Sequence, residues 1–384
     1  MATYDYDMGI VGGGAAGLTV ASGAAQLGAK TLLVEKEGKL GGDCLHFGCV
    51  PSKTLIRTAQ VYHTMRNAQA FGLPPVEMPA VDYKKVRERI QSVISTIQKH
   101  DSEERFCSLG AKVAFGTPTF SDEHSVQLNG QTVSAKNWVI ATGSSPGIPP
   151  IEGLDKTPYL TNREIFSLER LPESMIILGA GPIAAEMAQA FSRLGTAVFV
   201  VQRGGQILSR EDRDMAEGVM QVLTSEGITF YLNTSIIDVK DLGSRREVRF
   251  KDSAGKINSL RAEQILVAMG RSPNVEGLGL DGIGIEPDRK GIKVDARLRT
   301  VQKHIYAAGD VTGAFQFTHA AGYEGGIVVG NAIFHLPRKA DYTLLPRCTY
   351  TDPELAGMGM NEKEAREAGI QYSVFVEAFK DNDR

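Results

Sequence analysis

The chain has 384 residues, of which 42% are hydrophobic and 23% charged, so it is long enough for two or three globular domains. Its formal net charge of -3 provides no basic face for nucleic acid or an anionic membrane surface, and no apolar run approaches the roughly 18 residues of a membrane span. With four cysteines and no export signal, we expect a reducing, cytoplasmic setting in which a close cysteine pair is catalytic or metal-binding.

The N-terminal segment predicts a βαβ unit with a glycine-rich turn. A short apolar strand leads into the turn, a helix rich in small residues follows, and a second strand ends at Glu35. Gly12, Gly14 and Gly17 have the spacing that permits a tight turn, close approach of the backbone to a pyrophosphate and close helix-strand packing. Because Glu35 suits the ribose hydroxyls of an adenine dinucleotide, the segment predicts a dinucleotide site.

A cysteine pair follows in the stretch GGDCLHFGCVPSKTL, where Cys44 and Cys49 stand five residues apart. A disulfide needs Cα atoms within about 7 Å, whereas a regular helix or strand separates such residues further, so the segment must bend. Gly48 suits the bend, and a helix beginning near Pro51 would favour thiolate over thiol. A zinc site needs more ligands than the nearby His46 supplies, so no metal site is expected.

The glycine pattern returns in the middle of the chain, in SMIILGAGPIAAEMAQAFSRLGTAVFVVQR. Gly179, Gly181 and Ala184 stand at the positions of the three N-terminal glycines, and Pro182 suits the first position of a helix. Two further segments, VIATGSSP and LVAMGRSP, are also alike, and each predicts a strand followed by a glycine turn. The duplication predicts two dinucleotide sites.

The two copies differ where the second strand of each unit ends. The counterpart of Glu35 is Gln202, which is followed by Arg203 and, beyond two glycines, by Arg210. Loss of the acid removes repulsion against a 2′-phosphate, and arginine binds that phosphate directly, so the second site favours NADPH. The alternative is that Arg203 is a solvated loop residue and that Gln202 still accepts NADH.

In order along nearly the whole chain, these motifs resemble those of the pyridine nucleotide-disulfide oxidoreductases, the flavoprotein family of glutathione reductase, dihydrolipoamide dehydrogenase and mercuric reductase. The resemblance is carried by G-x-G-x-x-G at Gly12, GG-x-C-x-x-x-x-GC-x-PSK at Gly41, ATG at Ala141, GAG-x-x-x-x-E at Gly179, A-x-GR-x-PN at Ala268 and AAGD at Ala307.

The resemblance implies an α/β fold with two Rossmann-like dinucleotide-binding domains, the second inserted in the first, and a partial α+β interface domain. We expect an FAD-binding domain at residues 1–150 and 275–345, an NAD(P)-binding domain at 151–274, and the start of a truncated dimerisation domain at 346–384. The intact protein is expected to be a homodimer in which the missing region lends a His-Glu pair to its partner. By itself, this chain is expected to dimerise weakly and to turn over a disulfide poorly.

The resemblance also implies roles for site residues. Cys49 is expected to contact the flavin and Cys44 to exchange with the substrate, while Lys53 stabilises the reduced flavin with Glu186 as its ion-pair partner. FAD and NADPH, or NADH, are the implied cofactors. The residues expected to bind them are Gly12, Gly14, Gly17, Glu35, Gly42, Lys53, Thr142, Gly143, Ser144, Gly179, Gly181, Gln202, Arg203, Gly270, Gly309 and Asp310.

The expected substrate is a small disulfide, a dithiol or Hg(II). GCVPSKTLIRTAQ and TPYLTNREIF look closest to mercuric reductase, which makes Tyr159 a candidate for the substrate side of the site, with a plain packing role as the alternative. Mercuric reductases also carry a C-terminal cysteine pair that this sequence does not contain. Dihydrolipoamide dehydrogenase and a non-catalytic flavin-binding electron-transfer module remain the alternative functions.

A few residues have no assigned role. Asp43 departs from the threonine common at its position in the family, and its carboxylate near the FAD phosphates and Cys44 is unfavourable unless a partner compensates it. His319 belongs to a segment that matches the family helix whose N-terminus points at the flavin. Cys107 and Cys348 lack matching motifs and are expected to be ordinary buried or half-buried thiols.

Overall fold

The computed structural model describes residues 3–381, which form α/β units around two mostly parallel sheets. The strands are β1 (Tyr6–Val11), β2 (Thr31–Glu35), β3 (Ala111–Phe115), β4 (Thr119–Phe120), β5 (Ser125–Leu128), β6 (Gln131–Ile140), β7 (Ser144–Pro146), β8 (Ser174–Leu178), β9 (Ala197–Val201), β10 (Thr229–Tyr231), β11 (Ser235–Asp241), β12 (Arg246–Lys251), β13 (Ile257–Ala262), β14 (Gln264–Val267), β15 (Arg271–Pro273), β16 (Ile305–Ala307), β17 (Pro346–Thr349) and β18 (Leu355–Met358). The α-helices are α1 (Ala15–Gln26), α2 (Gly42–His46), α3 (Cys49–Arg66), α4 (Tyr83–Gln98), α5 (Glu103–Ser108), α6 (Pro182–Leu194), α7 (Arg213–Ser225), α8 (Thr318–Ile333) and α9 (Glu362–Glu367).

The first sheet is built on the N-terminal βαβ unit. Its order is β3-β2-β1-β6-β5-β4, and β16 also pairs with β6. The central strand β1 is parallel to both of its neighbours, and apolar cores cover both faces of the sheet. Burial on both faces explains why the central strands are nearly continuous apolar runs in the sequence.

The second sheet is inserted in the first along the chain. Its strands follow the order β10-β9-β8-β14 and are all parallel, and an antiparallel sheet of β11, β12 and β13 belongs to the same stretch of chain. The chain then returns to the first sheet through β16, while β7 and β15 pair with each other where the two units join. The predicted fold class, with one Rossmann-like unit inserted in another, is confirmed.

Helix α3 anchors the cysteine segment in a core that both units share. Leu55 on α3, Ile90 on α4 and Phe191 on α6 are fully buried in one apolar cluster. The helix begins at Cys49, two residues before the Pro51 start expected from the sequence, so the second cysteine is itself the first helical residue. The early start is possible because Pro51 falls within the first turn, where a missing N–H costs little.

The C-terminal part of the described chain is a small α+β segment. Strands β17 and β18 form an antiparallel hairpin, and α9 follows with a capping box between Asn361 and Glu364. Beyond α9, the large apolar side chains of Phe375, Val376 and Phe379 are exposed. From residue 3 to residue 381, no helix combines the length and the apolar character needed to cross a membrane.

Candidate active site

A cleft of about 2140 Å³ runs past the carboxyl ends of both parallel sheets. The segments that follow β1, β6 and β16 line it in the first unit, and those that follow β8 and β14 line it in the second. Open α/β sheets bind ligands at the carboxyl ends of their strands. The cleft also receives the cysteine pair, Lys53 and Glu186, so the candidate catalytic residues meet the candidate nucleotide sites in one place.

The first glycine turn has no room for side chains. Gly12 has a φ of +111°, and a Cβ added there would overlap the carbonyl oxygen of Ala141. A Cβ on Gly17 would overlap the carbonyl oxygen of Gly12, so α1 lies as close to the turn as its backbone allows. No side chain caps α1 at Gly14, which leaves the first N–H groups of the helix available to a phosphate oxygen.

Glu35 is buried at the end of β2, with its carboxylate fixed by two backbone N–H groups. Gly13 N donates to Oε2 at 2.6 Å, and Glu37 N donates to Oε1 at 2.8 Å. The carboxylate lines the cleft directly beside the glycine turn. This position suits hydrogen bonds to the ribose of an adenine dinucleotide.

The second glycine turn repeats the geometry of the first. Gly179 has a φ of +101°, and a Cβ there would overlap the carbonyl oxygen of Ala268, which is the counterpart of the contact between Gly12 and Ala141. Gly181 precedes α6, and Pro182 is the first residue of that helix. The duplicated sequence therefore forms the same backbone cradle twice.

The residues expected to select NADPH lie just beyond β9. Gln202 directly follows β9, so an amide stands at the position that corresponds to Glu35 of the first unit. Its backbone N–H donates to the Tyr231 carbonyl at 2.8 Å. Arg203 is exposed. Neither Gln202 nor Arg203 lines the cleft, whereas Arg210 does.

Cys44 and Cys49 lie side by side because the chain reverses between α2 and α3. A Cβ on Gly48 would stand 3.0 Å from the Asp43 carbonyl oxygen and 3.2 Å from Cys44 Cα, so glycine permits this close return. Neither cysteine forms a disulfide in this structure, and each side chain is the largest influence on the pKa of the other. The bend that a disulfide between them requires is present. In the part of the chain that the structure describes, no group of three or more His, Cys, Asp or Glu side chains is able to hold a metal ion.

The two thiols differ in acidity. The hydrogen bond from Cys44, supported by the Thr318 hydroxyl and the charge of Lys53, outweighs burial and lowers the pKa of Cys49 to about 6. The same hydrogen bond, with burial, raises the pKa of the Cys44 thiol well above its usual range. Thr318, the first residue of α8, places its Oγ1 3.2 Å from Cys49 Sγ. At neutral pH, Cys49 is therefore the thiolate and Cys44 the thiol.

Lys53 and Glu186 form an ion pair between α3 and α6. Lys53 Nζ lies 2.9 Å from Glu186 Oε2, and only 7% of the Glu186 side chain is exposed. The other carboxylate oxygen accepts the backbone N–H of Tyr350 at 2.9 Å, and Lys53 Nζ lies 4.4 Å from the centroid of the Tyr350 ring. The structure thus brings together the two charges that the sequence paired, and it adds an aromatic neighbour from the C-terminal segment.

Asp43 has polar partners on two other segments of the chain. Asn162 Nδ2 donates to its two carboxylate oxygens at 3.1 and 3.3 Å, and Arg271 Nη2 lies 3.1 Å from Oδ2. Arg271 Nε also donates to Ser144 Oγ at 2.7 Å and lies 3.7 Å from Asp310 Oδ2. The guanidinium compensates the carboxylate, which accounts for the aspartate that the sequence left unexplained.

The carboxylate of Asp310 is fixed beside this arginine at the end of β16. Ser144 Oγ donates to Asp310 Oδ2 at 2.6 Å. Burial raises the pKa of Asp310, while the hydrogen bond from Ser144 and the charge of Arg271 oppose the rise. The neighbouring Gly309 donates its N–H to the buried Glu324 at 2.5 Å, which fixes the backbone that carries Asp310.

The remaining expected residues lie in the turns after β6 and β14 and at the start of α2. Gly143 and Gly270 have φ values of +69° and +115°, and the hydroxyl of Thr142 donates to the Asn274 carbonyl at 2.6 Å. Gly42 has a φ of +61°, and a Cβ there would stand 2.7 Å from Gly14 Cα. The cysteine segment therefore approaches the first glycine turn closely.

The structure also places the other residues that the sequence singled out, which are Tyr159, His319, Cys107 and Cys348. Tyr159 is half-buried, packs against the core of the second unit and does not line the cleft, which favours the packing role. His319 Nε2 lies 2.8 Å from the Pro346 carbonyl oxygen. Cys348 is half-buried, as expected, and lines the cleft, but the expectation for Cys107 is wrong because it is exposed at the end of the short helix α5.

The sequence reasoning missed four polar residues at the site. Arg271 belongs to the quoted A-x-GR-x-PN motif, and Thr318 directly precedes His319, so motif context offered a signal for both. Asn162 lies within the quoted TPYLTNREIF segment, but nothing in that segment names its partners. Tyr350 stands far from Lys53 in sequence and carried no signal.

Comparison with known proteins relates the whole arrangement to one enzyme family. The family model for the pyridine nucleotide-disulphide oxidoreductases matches residues 6–325, and the model for the dimerisation domain of that family matches residues 345–384. A solved structure, the HOCl-induced flavoprotein disulfide reductase RclA from Escherichia coli, has a TM-score of 0.83 and 28% identity over 95% of this chain and 80% of that one.

Curated relatives carry two different names. Mercuric reductases from Staphylococcus aureus and Bacillus cereus are 35% and 34% identical over 97% of this chain, which covers 68% and 59% of their lengths. A dihydrolipoyl dehydrogenase from Bacillus subtilis (strain 168) is 36% identical over 97% of this chain and 81% of its own length. The family model matches residues 6–325, which is most of the sequence, so the chain belongs to the pyridine nucleotide-disulphide oxidoreductase family of enzymes.

Proposed function

We propose that this protein is an FAD-dependent disulfide reductase that passes reducing equivalents from NADPH through Cys44 and Cys49 to a small disulfide or to Hg(II), with a dithiol as the third candidate substrate. The observation that carries the proposal is the cysteine pair in the nucleotide cleft, with one thiol acidic and the other not. A difference in pKa between two neighbouring thiols suits a redox pair, since a purely structural pair of thiols does not require it.

The residues around the first glycine turn fit FAD. The turn has no room for a Cβ at Gly12 or at Gly17. Two backbone hydrogen bonds hold the Glu35 carboxylate at a position that suits a ribose hydroxyl. The residues proposed to hold FAD are Gly12, Gly14, Gly17, Glu35, Gly42, Lys53, Thr142, Gly143, Ser144, Gly309 and Asp310. When bound, FAD would accept hydride from the nicotinamide nucleotide and pass two electrons to the disulfide.

The second turn fits the nicotinamide nucleotide. Gly179, Gly181 and Gly270 would form its backbone cradle, and the absence of an acid at Gln202 removes repulsion against a 2′-phosphate. Arg203 would reach that phosphate only by turning toward the cleft, while Arg210 already lines it. NADPH is therefore the proposed nucleotide, and NADH remains the alternative.

The two cysteines have separate roles in the proposed cycle. Cys49, the acidic thiol on the first turn of α3, would face the flavin and remain a thiolate when the pair is reduced. Cys44 would attack the substrate, and its raised pKa means that a base must first remove its proton. With a disulfide substrate, this attack would release one substrate thiolate and leave the other half bound to Cys44 as a mixed disulfide. Attack by Cys49 on that mixed disulfide would release the second thiolate and close the bond between Cys44 and Cys49 again.

Lys53 and Glu186 would serve the flavin side of the site. Their ion pair, with Tyr350 against the lysine, holds a positive charge at the cleft wall close to Cys49. A fixed cation of this kind would stabilise the negative charge of a reduced flavin. Glu186 would act as a positioning residue, since its carboxylate holds the ammonium group at 2.9 Å.

Domain limits and assembly follow the same proposal. FAD would occupy the unit made of residues 1–150 and 275–345, NADPH the unit made of residues 151–274, and residues 346–384 would belong to a dimerisation domain. The family match at residues 345–384 and the exposed apolar side chains of Phe375, Val376 and Phe379 support a homodimer.

An anaerobic titration tests the proposal. The protein is loaded with FAD and reduced stepwise with NADPH, and we expect loss of oxidised flavin absorbance together with a long-wavelength band from thiolate next to flavin. Cys49→Ser should lose that band, whereas the exposed Cys107→Ser should keep it. Reduction without the appearance of new thiols would contradict the proposal and favour an electron-transfer module.

Substrate and nucleotide preference separate the remaining candidates. A panel of Hg(II), lipoamide, glutathione disulfide and small disulfides would be assayed with NADPH and NADH. A higher kcat/KM for NADPH than for NADH, with turnover of Hg(II) or a small disulfide, would support the mercuric reductase-like function. Preference for NADH with turnover of lipoamide would favour dihydrolipoamide dehydrogenase.

A further inference from the structure

One buried asparagine forms hydrogen bonds to both ends of the cysteine loop, the segment of residues 43–47. Asn162 is only 8% exposed and lies in the segment that connects β7 to β8, outside the motifs that bind nucleotides. Its Nδ2 donates to the Asp43 carboxylate at 3.1 and 3.3 Å and to the Phe47 carbonyl at 3.0 Å. Cys44 stands between these two contacts in the chain.

The two amide protons of Asn162 are both used in this arrangement. A side-chain amide has two N–H donors, and here one meets the carboxylate before Cys44 while the other meets the backbone before Gly48. The carboxylate bond is charge-assisted and therefore stronger than a neutral one. A short loop tied at both ends has few conformations left to its cysteine.

Arg271 also holds the cysteine loop, through an ion pair with Asp43. Its Nη2 contacts Asp43 at 3.1 Å, and its Nε and Nη2 bond to the hydroxyl and carbonyl of Ser144 at 2.7 and 2.8 Å. Only 13% of the arginine side chain is exposed. The loop is therefore fixed to the segment of residue 162 and, through the arginine, to the paired strands β7 and β15.

We propose that Asn162 and Asp43 form a clamp that positions Cys44 against Cys49 and so sets the stability of the disulfide between them. This inference rests on the proposed redox role of the two cysteines. Disulfide formation removes two electrons and two protons from the thiols, and its equilibrium depends on the effective concentration of one sulfur at the other. A loosened loop lowers that concentration and makes the disulfide easier to reduce.

The test is the redox equilibrium of the cysteine pair in the full chain, with and without FAD. The protein is equilibrated anaerobically in glutathione buffers of graded ratio, in which glutathione disulfide takes up the two electrons. Free thiols are then blocked, and mass spectrometry measures the proteolytic peptide that contains both Cys44 and Cys49. Cys107 and Cys348 lie on other peptides and do not contribute to the measured number of thiols. For Asn162→Ala, we expect a fall of about tenfold in the disulfide equilibrium constant, or about 30 mV.

Further variants separate the clamp from general destabilisation. Asn162→Ser keeps one hydrogen-bond donor, which is too few for both contacts. It should shift the redox equilibrium in the same direction as alanine but by less. If the alanine variant does not fold, the serine variant is the test of the clamp. Asn67→Ala, an exposed asparagine at the end of α3, should leave the equilibrium unchanged. Equal midpoints for wild type, alanine and serine variants would overturn the clamp alone. A wild-type protein that forms no disulfide at any glutathione ratio would overturn both the clamp and the proposed function.

Discussion

Replacement of Thr318 by valine should raise the pKa of Cys49. The threonine hydroxyl lies 3.2 Å from Cys49 Sγ, and its hydrogen bond is among the causes that lower the pKa of that thiol, after the larger effect of Cys44. Valine has nearly the same shape and no hydroxyl, so the thiolate loses one donor while the packing is kept. The acidic thiol should then become less acidic, with no effect on the fold of α8.

The size of the shift follows from the strength of the lost bond. A hydrogen bond to a charged group contributes about 1.5 to 3 kcal/mol, and one pKa unit corresponds to about 1.4 kcal/mol. The lower end applies because Cys49 is exposed to the cleft. The pKa should therefore rise by about one unit, from about 6 to about 7. At pH 6, the thiolate fraction should fall from about one half to about one tenth, a fivefold loss of reactivity.

The assay is the pH dependence of alkylation. The reduced protein is treated with iodoacetamide between pH 4.5 and 9, and mass spectrometry follows the modification of Cys49 separately from that of Cys44. The rate should increase with pH as the thiolate forms, and its midpoint should be higher in Thr318→Val than in wild type. Thr318→Ser keeps the hydroxyl and should behave as wild type does. If the valine variant titrates at the wild-type midpoint, the Thr318 hydroxyl does not stabilise the Cys49 thiolate.

Three further predictions concern the cofactor residues. Lys53→Met should slow flavin reduction by NADPH in stopped-flow absorbance by roughly tenfold or more, because the cation beside Glu186 is lost; unchanged kinetics would remove the lysine from the mechanism. Gly17→Ala should abolish FAD retention on gel filtration, since its Cβ overlaps the Gly12 carbonyl, and a variant that keeps full flavin content would contradict the cradle. Arg203→Glu should reduce kcat/KM for NADPH by more than that for NADH, and equal losses would assign the 2′-phosphate to another residue.

Much of the fold could be predicted because its determinants are local and duplicated. The two glycine turns have the same overlap between a glycine and a facing alanine carbonyl, at Gly12 and at Gly179, and each overlap is the reason that glycine stands there. The bend at Gly48 also followed from the reach of a disulfide. Such constraints act within a few residues or within one βαβ unit, so they are visible in the sequence.

The polar partners of Asp43 and Cys49 could not be predicted because they lie on distant segments of the chain. Asp43 looked unfavourable by itself, and only the fold brings Asn162 and Arg271 to its carboxylate. The partnership of Thr318 with Cys49 likewise depends on where α8 begins relative to α3. Hydrogen bonds of this kind have no periodicity, and their energies depend on burial that the sequence does not state.

We infer that Cys44 and Cys49 store electrons that pass through the flavin. An anaerobic dithionite titration of the FAD-loaded protein, followed by absorbance and by a thiol count, tests it most directly. We expect the wild-type protein to take up about four electrons per flavin, two for FAD and two for the disulfide, and a variant with both cysteines replaced by serine to take up about two. Uptake of only two electrons by the wild-type protein, with no gain of thiols, would contradict a redox role for the two cysteines.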